Sequence, residues 1–242
     1  MTTPSWYLDE IAHAGPEHLD DAYVATYDHK AGVDWSAELA RLRRLGLDET
    51  RTLVDLGAGT GGLALAAAPL SRRVVAADVS PAMLAVLRDR ADRLGLRNLE
   101  CVHAGLLTYN HNGALADFVY CRHALHHLPD FWKVIALQRI AAMLQPGGVL
   151  LLRDLTFSCD PSEAERTIEA WLAAAATQPT SGWTRAELET HLREEYSTFS
   201  WLMEAMLERV GFAIQQVEYD QSHIFADYVC LKTASSRASG AT

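Results

Sequence analysis

The sequence predicts an α/β protein built on a doubly wound sheet, and three observations carry that prediction. An apolar strand runs directly into a glycine-rich turn and then a helical pattern across Val54–Leu70. Short apolar runs then alternate with amphipathic stretches as far as Asp154. Parallel strands can be joined only by long crossovers, so such alternation implies a parallel sheet with helices on both faces. Finally, 242 residues suffice for one such sheet with added helices.

Taken in order, residues 1–50 read as an N-terminal helical cap. Trp6, Tyr7, Tyr23, Tyr27 and Trp35 give it aromatic weight. The short basic run Arg41–Arg44 shares a helix with Leu39, Leu42 and Leu45 and reads as a solvated face. Residues 51–157 read as the α/β core, with strands at Thr52–Leu56, Arg73–Asp78, Leu99–His103, Asp117–Cys121 and Val149–Asp154. Between the second and third strands, Met83, Leu87, Ala91 and Leu94 recur at helical spacing.

From Ser158 to Gly211 the rhythm breaks and reads as all helix. Ile168, Trp171, Leu172 and Ala175 line one face, and Thr184 with Glu187 forms a capping box for a second helix. These two helices, residues 158–198, read as a lid. Phe199, Leu202, Met203, Met206, Leu207 and Val210 line a third helix that Gly211 stops. That helix and a closing strand pair, within Gly211–Asp220 and Phe225–Ala234, make up residues 199–234. The small, polar run 235–242 reads as a disordered tail.

Composition narrows the function classes. Hydrophobic residues make up 49% and charged residues 21%, with a net charge of −10. A nucleic-acid binder carries a basic stripe, and none is visible. No apolar run approaches the ~20 residues of a membrane span, and the polar start MTTPSWYLDE lacks the apolar stretch of a signal peptide. Cys101, Cys121, Cys159 and Cys230 are far apart and form no C-x-x-C pair. The expectation is a cytoplasmic protein with no membrane or nucleic-acid partner.

The turn Gly57–Gly62 carries the functional signal. Glycines at 57, 59 and 61 allow a sharp turn and a close backbone approach by a ligand. Gly57, Gly59 and Gly62 also satisfy GxGxxG, and Asp78 lies 21 positions after Gly57, where a dinucleotide-binding fold places its ribose carboxylate. On these residues alone a nicotinamide oxidoreductase stays open. The company of the turn points elsewhere. Asp55 precedes it, and DVSPAML (78–84), ADFVYCRHALHHLPD (116–130) and LQPGGVLLLRD (144–154) follow in order. This series resembles the class I S-adenosylmethionine (SAM) dependent methyltransferases, in the branch with many small-molecule enzymes.

The resemblance implies a seven-stranded sheet whose last strand is antiparallel, SAM as cofactor and S-adenosylhomocysteine as product. It implies cofactor contacts from Gly57, Gly59 and Gly61, from Asp55 beside the methionine portion, and from Asp78 to the ribose hydroxyls. Val79 and Met83 would touch the adenine or ribose, with Ala104 and Gly105 after the third strand and Cys121 and Arg122 after the fourth. Tyr27 would close over the cofactor. Many relatives carry an aspartate after the glycine of the third strand; here that position is Leu106.

His126, His123 and Asp154 are the candidate catalytic groups, since a histidine is poised near neutral pH for proton abstraction. Trp171, His191, Glu195 and Tyr196 are candidate substrate contacts in the lid. No metal is expected, because His126 and His127 are adjacent and should point apart, and HEXXH spacing is absent. The expected reaction is methyl transfer to oxygen or nitrogen, less so carbon, of a small molecule. A protein or nucleic-acid acceptor is the nearest alternative, but Cys121–Ala124 stand where base-amino methylation uses an Asn/Asp-Pro-Pro-aromatic segment.

Overall fold

The computed structural model describes residues 4–15, 24, 33–177 and 183–234. Tyr23, Tyr27 and the tail 235–242 fall outside the described residues, as does much of the cap. Within the cap, a short 3-10 turn spans Ile11–His13, and α1 spans Trp35–Arg44. Asp34 starts α1 by accepting the Ser36 and Ala37 amides, satisfying two of the donors that a helix start leaves unpaired.

The core follows as β1 (Thr52–Leu56), α2 (Gly62–Ala67), β2 (Arg73–Asp78), α3 (Pro81–Arg93), β3 (Leu99–His103), β4 (Ala116–Arg122), α4 (Asp130–Met143) and β5 (Leu144–Phe157). Pro69 ends the helical run of α2 by tightening Ala68–Leu70 into a 3-10 turn. Ser80 caps α3 through the Met83 amide, with Pro81 at the first helical position. The last third holds α5 (Ala164–Thr177), α6 (Arg185–Glu194), β6 (Thr198–Phe199), α7 (Ser200–Arg209), β7 (Phe212–Tyr219) and β8 (Phe225–Lys232). Thr184 and Glu187 form the capping box of α6.

The main sheet runs β3-β2-β1-β4-β5-β8-β7. The first five of these strands pair in parallel, while β8 lies antiparallel between β5 and β7. This is the expected seven-stranded sheet with its last strand reversed. β1 is buried at every position, as a central strand covered on both faces must be. One apolar layer packs Val54, Val75, Val119, Leu150 and Tyr228 against α4 and α7. The opposite layer packs Leu53, Val74, Phe118 and Leu151 against α1, α2 and α3.

Two departures from the sequence reading matter for the site. The 158–211 segment is not wholly helical, because Thr198 and Phe199 pair in parallel with Thr156 and Phe157. Correspondingly, β5 runs beyond Asp154 to Phe157. The Thr and Phe residues on each side suit a strand edge, but the pairing joins positions too far apart in sequence for local periodicity to register it. The strand–strand contact ties the helical insertion to the sheet. Leu155, Phe157 and Ile224 form the floor on which Ile168, Trp171 and Leu192 of the insertion rest.

Candidate active site

An open cleft lies at the carboxyl ends of the parallel strands, where α/β sheets bind ligands. Its lining includes Gly57 and Gly59 after β1, Asp78, Val79 and Met83 after β2, Gly105 and Leu106 after β3, and Arg122 and His123 after β4. Each strand end contributes because β1, β2 and β4 stop at nearly the same level.

The glycine turn is shaped by backbone constraints. Gly57, Gly59 and Gly61 all take positive φ, a region that costs residues with a Cβ roughly 1–2 kcal/mol. A Cβ on Gly57 would also lie 2.6 Å from that of Ala124. Gly61 has a different task from the other two. It caps α2 in the left-handed conformation and packs on Leu87, away from the cleft lining.

Asp78 braces this turn. One carboxylate oxygen accepts the Gly59 amide at 2.7 Å and the other accepts the Ser80 amide at 2.8 Å. Asp55 is buried beneath the turn rather than on the cleft surface. Burial, reinforced by the charge of Asp78, pushes its carboxyl up to about 7, and the Ala64 amide in the first turn of α2 partly offsets that.

After β3, the cleft wall contains a residue that sequence reading did not single out. Glu10, from the N-terminal segment, is buried against Gly105. It accepts the Leu107 amide at 2.8 Å and the Thr108 hydroxyl at 2.9 Å. Burial raises its pKa despite those bonds. Its partners lie 97 and 98 positions away, so no local pattern could mark it. Ala104, by contrast, is occupied in donating its amide to the Asp78 carbonyl and stands behind the lining.

After β4, Cys121 is fully buried and its thiol is pushed well above its ordinary value by burial, so it is inert core. Arg122 reaches the cleft while pairing with Glu38 of α1 at 3.2 Å. His123 has φ +49, a strained backbone for a residue with a Cβ. Its amide donates to the Arg153 carbonyl at 2.8 Å, and its ring meets Phe225 edge-on. Burial, together with the neighbouring Arg122 charge, holds the ring well below its ordinary pKa, so it is neutral. Its Nδ1 is buried and has no hydrogen-bond partner among the described residues.

His126 does not line the cleft. Its ring is buried between two carboxylates, with Nδ1 donating to Asp154 at 2.5 Å and Nε2 3.0 Å from Glu195. Burial opposes its charge, yet these neighbours lift its pKa to about 9. Asp154 is fully buried and also accepts the Leu125, His126 and Leu155 amides. Burial works against this carboxylate too, but His126 holds it at about 2. His127 lines the cleft and lies 3.9 Å from Glu195.

The two adjacent histidines therefore converge instead of diverging. They sit on a 3-10 turn, Leu125–His127, and reach the same carboxylate through different ring nitrogens, Nε2 of His126 and Nδ1 of His127. Glu195 also bonds His191 Nδ1 one turn earlier. Burial opposes its charge as well, but the surrounding histidines hold it well below the usual carboxylate range.

The other candidates in the helical insertion stand further off. Trp171 packs edge-on against His191 and Phe225. Tyr196 is anchored by its backbone, its amide donating to the His126 carbonyl at 2.8 Å and its carbonyl accepting from buried Lys133. The end of the insertion is thus fastened to the Leu125–His127 turn and to α4 beside the cleft. Among the described residues, no helix is long and apolar enough to cross a membrane.

Comparison with known proteins agrees with this geometry. Residues 53–148 match the family model described as a methyltransferase domain. The chain is 35% identical over 146 residues to trans-aconitate 2-methyltransferase of Methylobacterium radiotolerans, covering 60% of this chain and 50% of that protein. It is 29% identical over 154 residues to 27-O-demethylrifamycin SV methyltransferase of Amycolatopsis mediterranei, covering 59% and 52%. The chain therefore spans about half the length of the curated relatives it matches. The SAM-bound magnesium protoporphyrin IX methyltransferase of Synechocystis PCC 6803 superposes with a TM-score of 0.63 at 13% identity, over 95% of this chain and 100% of that one. The sheet order and the matched domain agree: residues 53–148 match a methyltransferase domain, and the fold is that of the class I SAM-dependent methyltransferases, to which the chain is similar.

Proposed function

We propose that this protein transfers the methyl group of SAM to an oxygen or nitrogen atom of a small-molecule acceptor. The observation that carries this reading is one continuous cleft in which a glycine turn and a ribose-type carboxylate, Gly57, Gly59 and Asp78, meet a neutral histidine, His123. The residues fit the cofactor. Asp78 lines the cleft with a carboxylate, the acceptor type that vicinal hydroxyls require. Val79 and Met83 offer apolar surface beside it, and Gly105 and Arg122 complete the wall. Gly61, Asp55, Ala104 and Cys121 act from behind, shaping the turn and the strand ends.

SAM supplies an electrophilic methyl on a cationic sulfur, so much of the chemical drive lies in the bound group. The protein aligns the two reactants, which is worth ~7–11 kcal/mol in favourable intramolecular cases. His123 is the residue best suited to take a proton from the acceptor. It lines the cleft and is neutral, and a reorientation of its ring would bring the buried Nδ1, which has no partner among the described residues, to the acceptor. His126 is already protonated between Asp154 and Glu195, so these two hold a charge in place rather than accept a proton. The helical insertion, with Trp171, His191, Glu195 and Tyr196, would form the acceptor side and exclude water.

An acidic chain and relatives whose names specify a rifamycin derivative and trans-aconitate favour a small acceptor. Calorimetry with SAM, S-adenosylhomocysteine, NAD and NADP tests the cofactor, with micromolar binding expected for the first two alone. A labelled-methyl screen against small-molecule extracts then identifies the acceptor. Tight nicotinamide binding without SAM binding would overturn the reading.

A further inference from the structure

We propose that His126, His127 and Glu195 form a binding site for a divalent ion of the zinc class, at the border between the helical insertion and the cleft. Their donor atoms lie within 4.8 Å of one another. The His126 Nε2–Glu195 distance is 3.0 Å and the His127 Nδ1–Glu195 distance 3.9 Å. The second is too long for a hydrogen bond. These two distances end on different carboxylate oxygens, Oε2 and Oε1; two ligands bound at about 2.0–2.1 Å in tetrahedral array stand roughly 3.4 Å apart, so a small inward movement of donor atoms that already lie within 4.8 Å would close them on one ion.

The surroundings are those of a held ligand set. Metal-binding histidines usually donate their second ring nitrogen to a carboxylate, which fixes the tautomer and the ring orientation. Asp154 does this for His126 at 2.5 Å and is itself fixed by the Leu125 and Leu155 amides. His191 Nδ1 contacts Glu195 Oε2 from one turn earlier on α6. Two nitrogens and one carboxylate oxygen are a donor set that suits zinc and its neighbours and leaves a coordination position open.

Because a ligating nitrogen must be free of its proton, binding would release to solvent any proton held on His126 Nε2, and the ion would take over as the partner of the Glu195 carboxylate. Because His127 lines the cleft, a molecule in the cleft would lie next to the bound ion. An acceptor bearing an ionisable oxygen, such as an enol, phenol or carboxylic acid, would coordinate there and lose its proton more readily. This role rests on the methyl-transfer reading, whereas the binding itself does not.

The test uses the full chain, stripped with a chelator, desalted and titrated with Co2+ and then Zn2+. We expect one equivalent of cobalt to give a saturable visible absorption that zinc abolishes. His127→Gln and Glu195→Gln should each weaken binding at least tenfold, with circular dichroism unchanged. His191→Ala should weaken it by about 10–100-fold, the usual effect of removing an outer partner. Absence of a one-equivalent spectrum in wild type, or variants that bind like wild type, would overturn the site. Should a variant fail to fold, wild type decides alone: paramagnetic shifts at the His126 and His127 ring resonances support the site, and shifts confined to other histidines sink it. A protein that binds metal but not S-adenosylhomocysteine would sink the methyl-transfer reading and leave the metal site standing.

Discussion

Replacing Asp154 with Asn tests the buried charge pair at the end of β5. The carboxylate accepts from the His126 ring at 2.5 Å and from the Leu155 and Leu125 amides at 2.7 and 2.8 Å. Asparagine keeps the shape but turns one acceptor into a donor, so at least one N–H faces another. It also removes the charge that offsets protonated His126. Breaking a buried pair from one side costs about 3–5 kcal/mol. With a urea dependence of about 2–3 kcal/mol per molar, the unfolding midpoint should fall by roughly 1–2 M.

The pH dependence gives a sharper test. Folded Asp154 titrates at about 2, below its ordinary 3.8, so its contribution is complete above 3.8 and disappears as pH falls through 2. Folded His126 titrates at about 9, above its ordinary 6.5, so its contribution is complete below 6.5 and disappears as pH rises through 9. The stability gap between wild type and Asp154→Asn should be full between pH 3.8 and 6.5 and should shrink from 6.5 to 9. Urea unfolding in chelator, followed by tryptophan fluorescence and far-UV circular dichroism, measures it. A gap that stays constant or widens above pH 6.5 refutes the charged-pair reasoning.

Asp78→Ala removes the brace of the glycine turn and the expected hydroxyl contacts. Hydrogen bonds to a charged group are worth ~1.5–3 kcal/mol, so S-adenosylhomocysteine affinity should drop roughly tenfold or more by calorimetry, and wild-type affinity would show that the ribose sits elsewhere. His123→Asn tolerates the positive φ but removes the imidazole, so turnover of the acceptor found by the labelled-methyl screen should fall about 100-fold or more with cofactor binding kept; undiminished turnover would remove His123 from the chemistry. Gly57→Ala must meet both a left-handed backbone and a 2.6 Å contact with Ala124, and should lose about 1–3 kcal/mol in urea unfolding. Limited proteolysis should cut within residues 158–198 and the N-terminal segment of free protein and be slowed by S-adenosylhomocysteine; identical patterns at saturating ligand would make both segments static caps.

The contrast between the two sides of the cleft explains how far the chain could be read from its residues. β1, β2 and β3 begin and end where the apolar runs do, at Thr52–Leu56, Arg73–Asp78 and Leu99–His103. Most of the cofactor side is made at those ends and is local: the turn carries its glycines at alternate positions, 57, 59 and 61, and Asp78 braces Gly59 from 19 positions away; Glu10 is the long-range exception. The acceptor side is assembled from distant segments. Glu195 meets His126 only because Thr198 and Phe199 pair with β5 and because Lys133 holds the Tyr196 carbonyl. No periodicity encodes those contacts, so adjacency in sequence suggested that His126 and His127 diverge. It also gave no sign that His126 would be sealed between two carboxylates while His123 lined the cleft. A fold that fixes its cofactor by local backbone chemistry can vary its acceptor through such long-range pairings without disturbing the turn. Residues 158–198 are therefore the place where acceptor specificity should respond to substitution, and the turn Gly57–Gly62 the place where it should not.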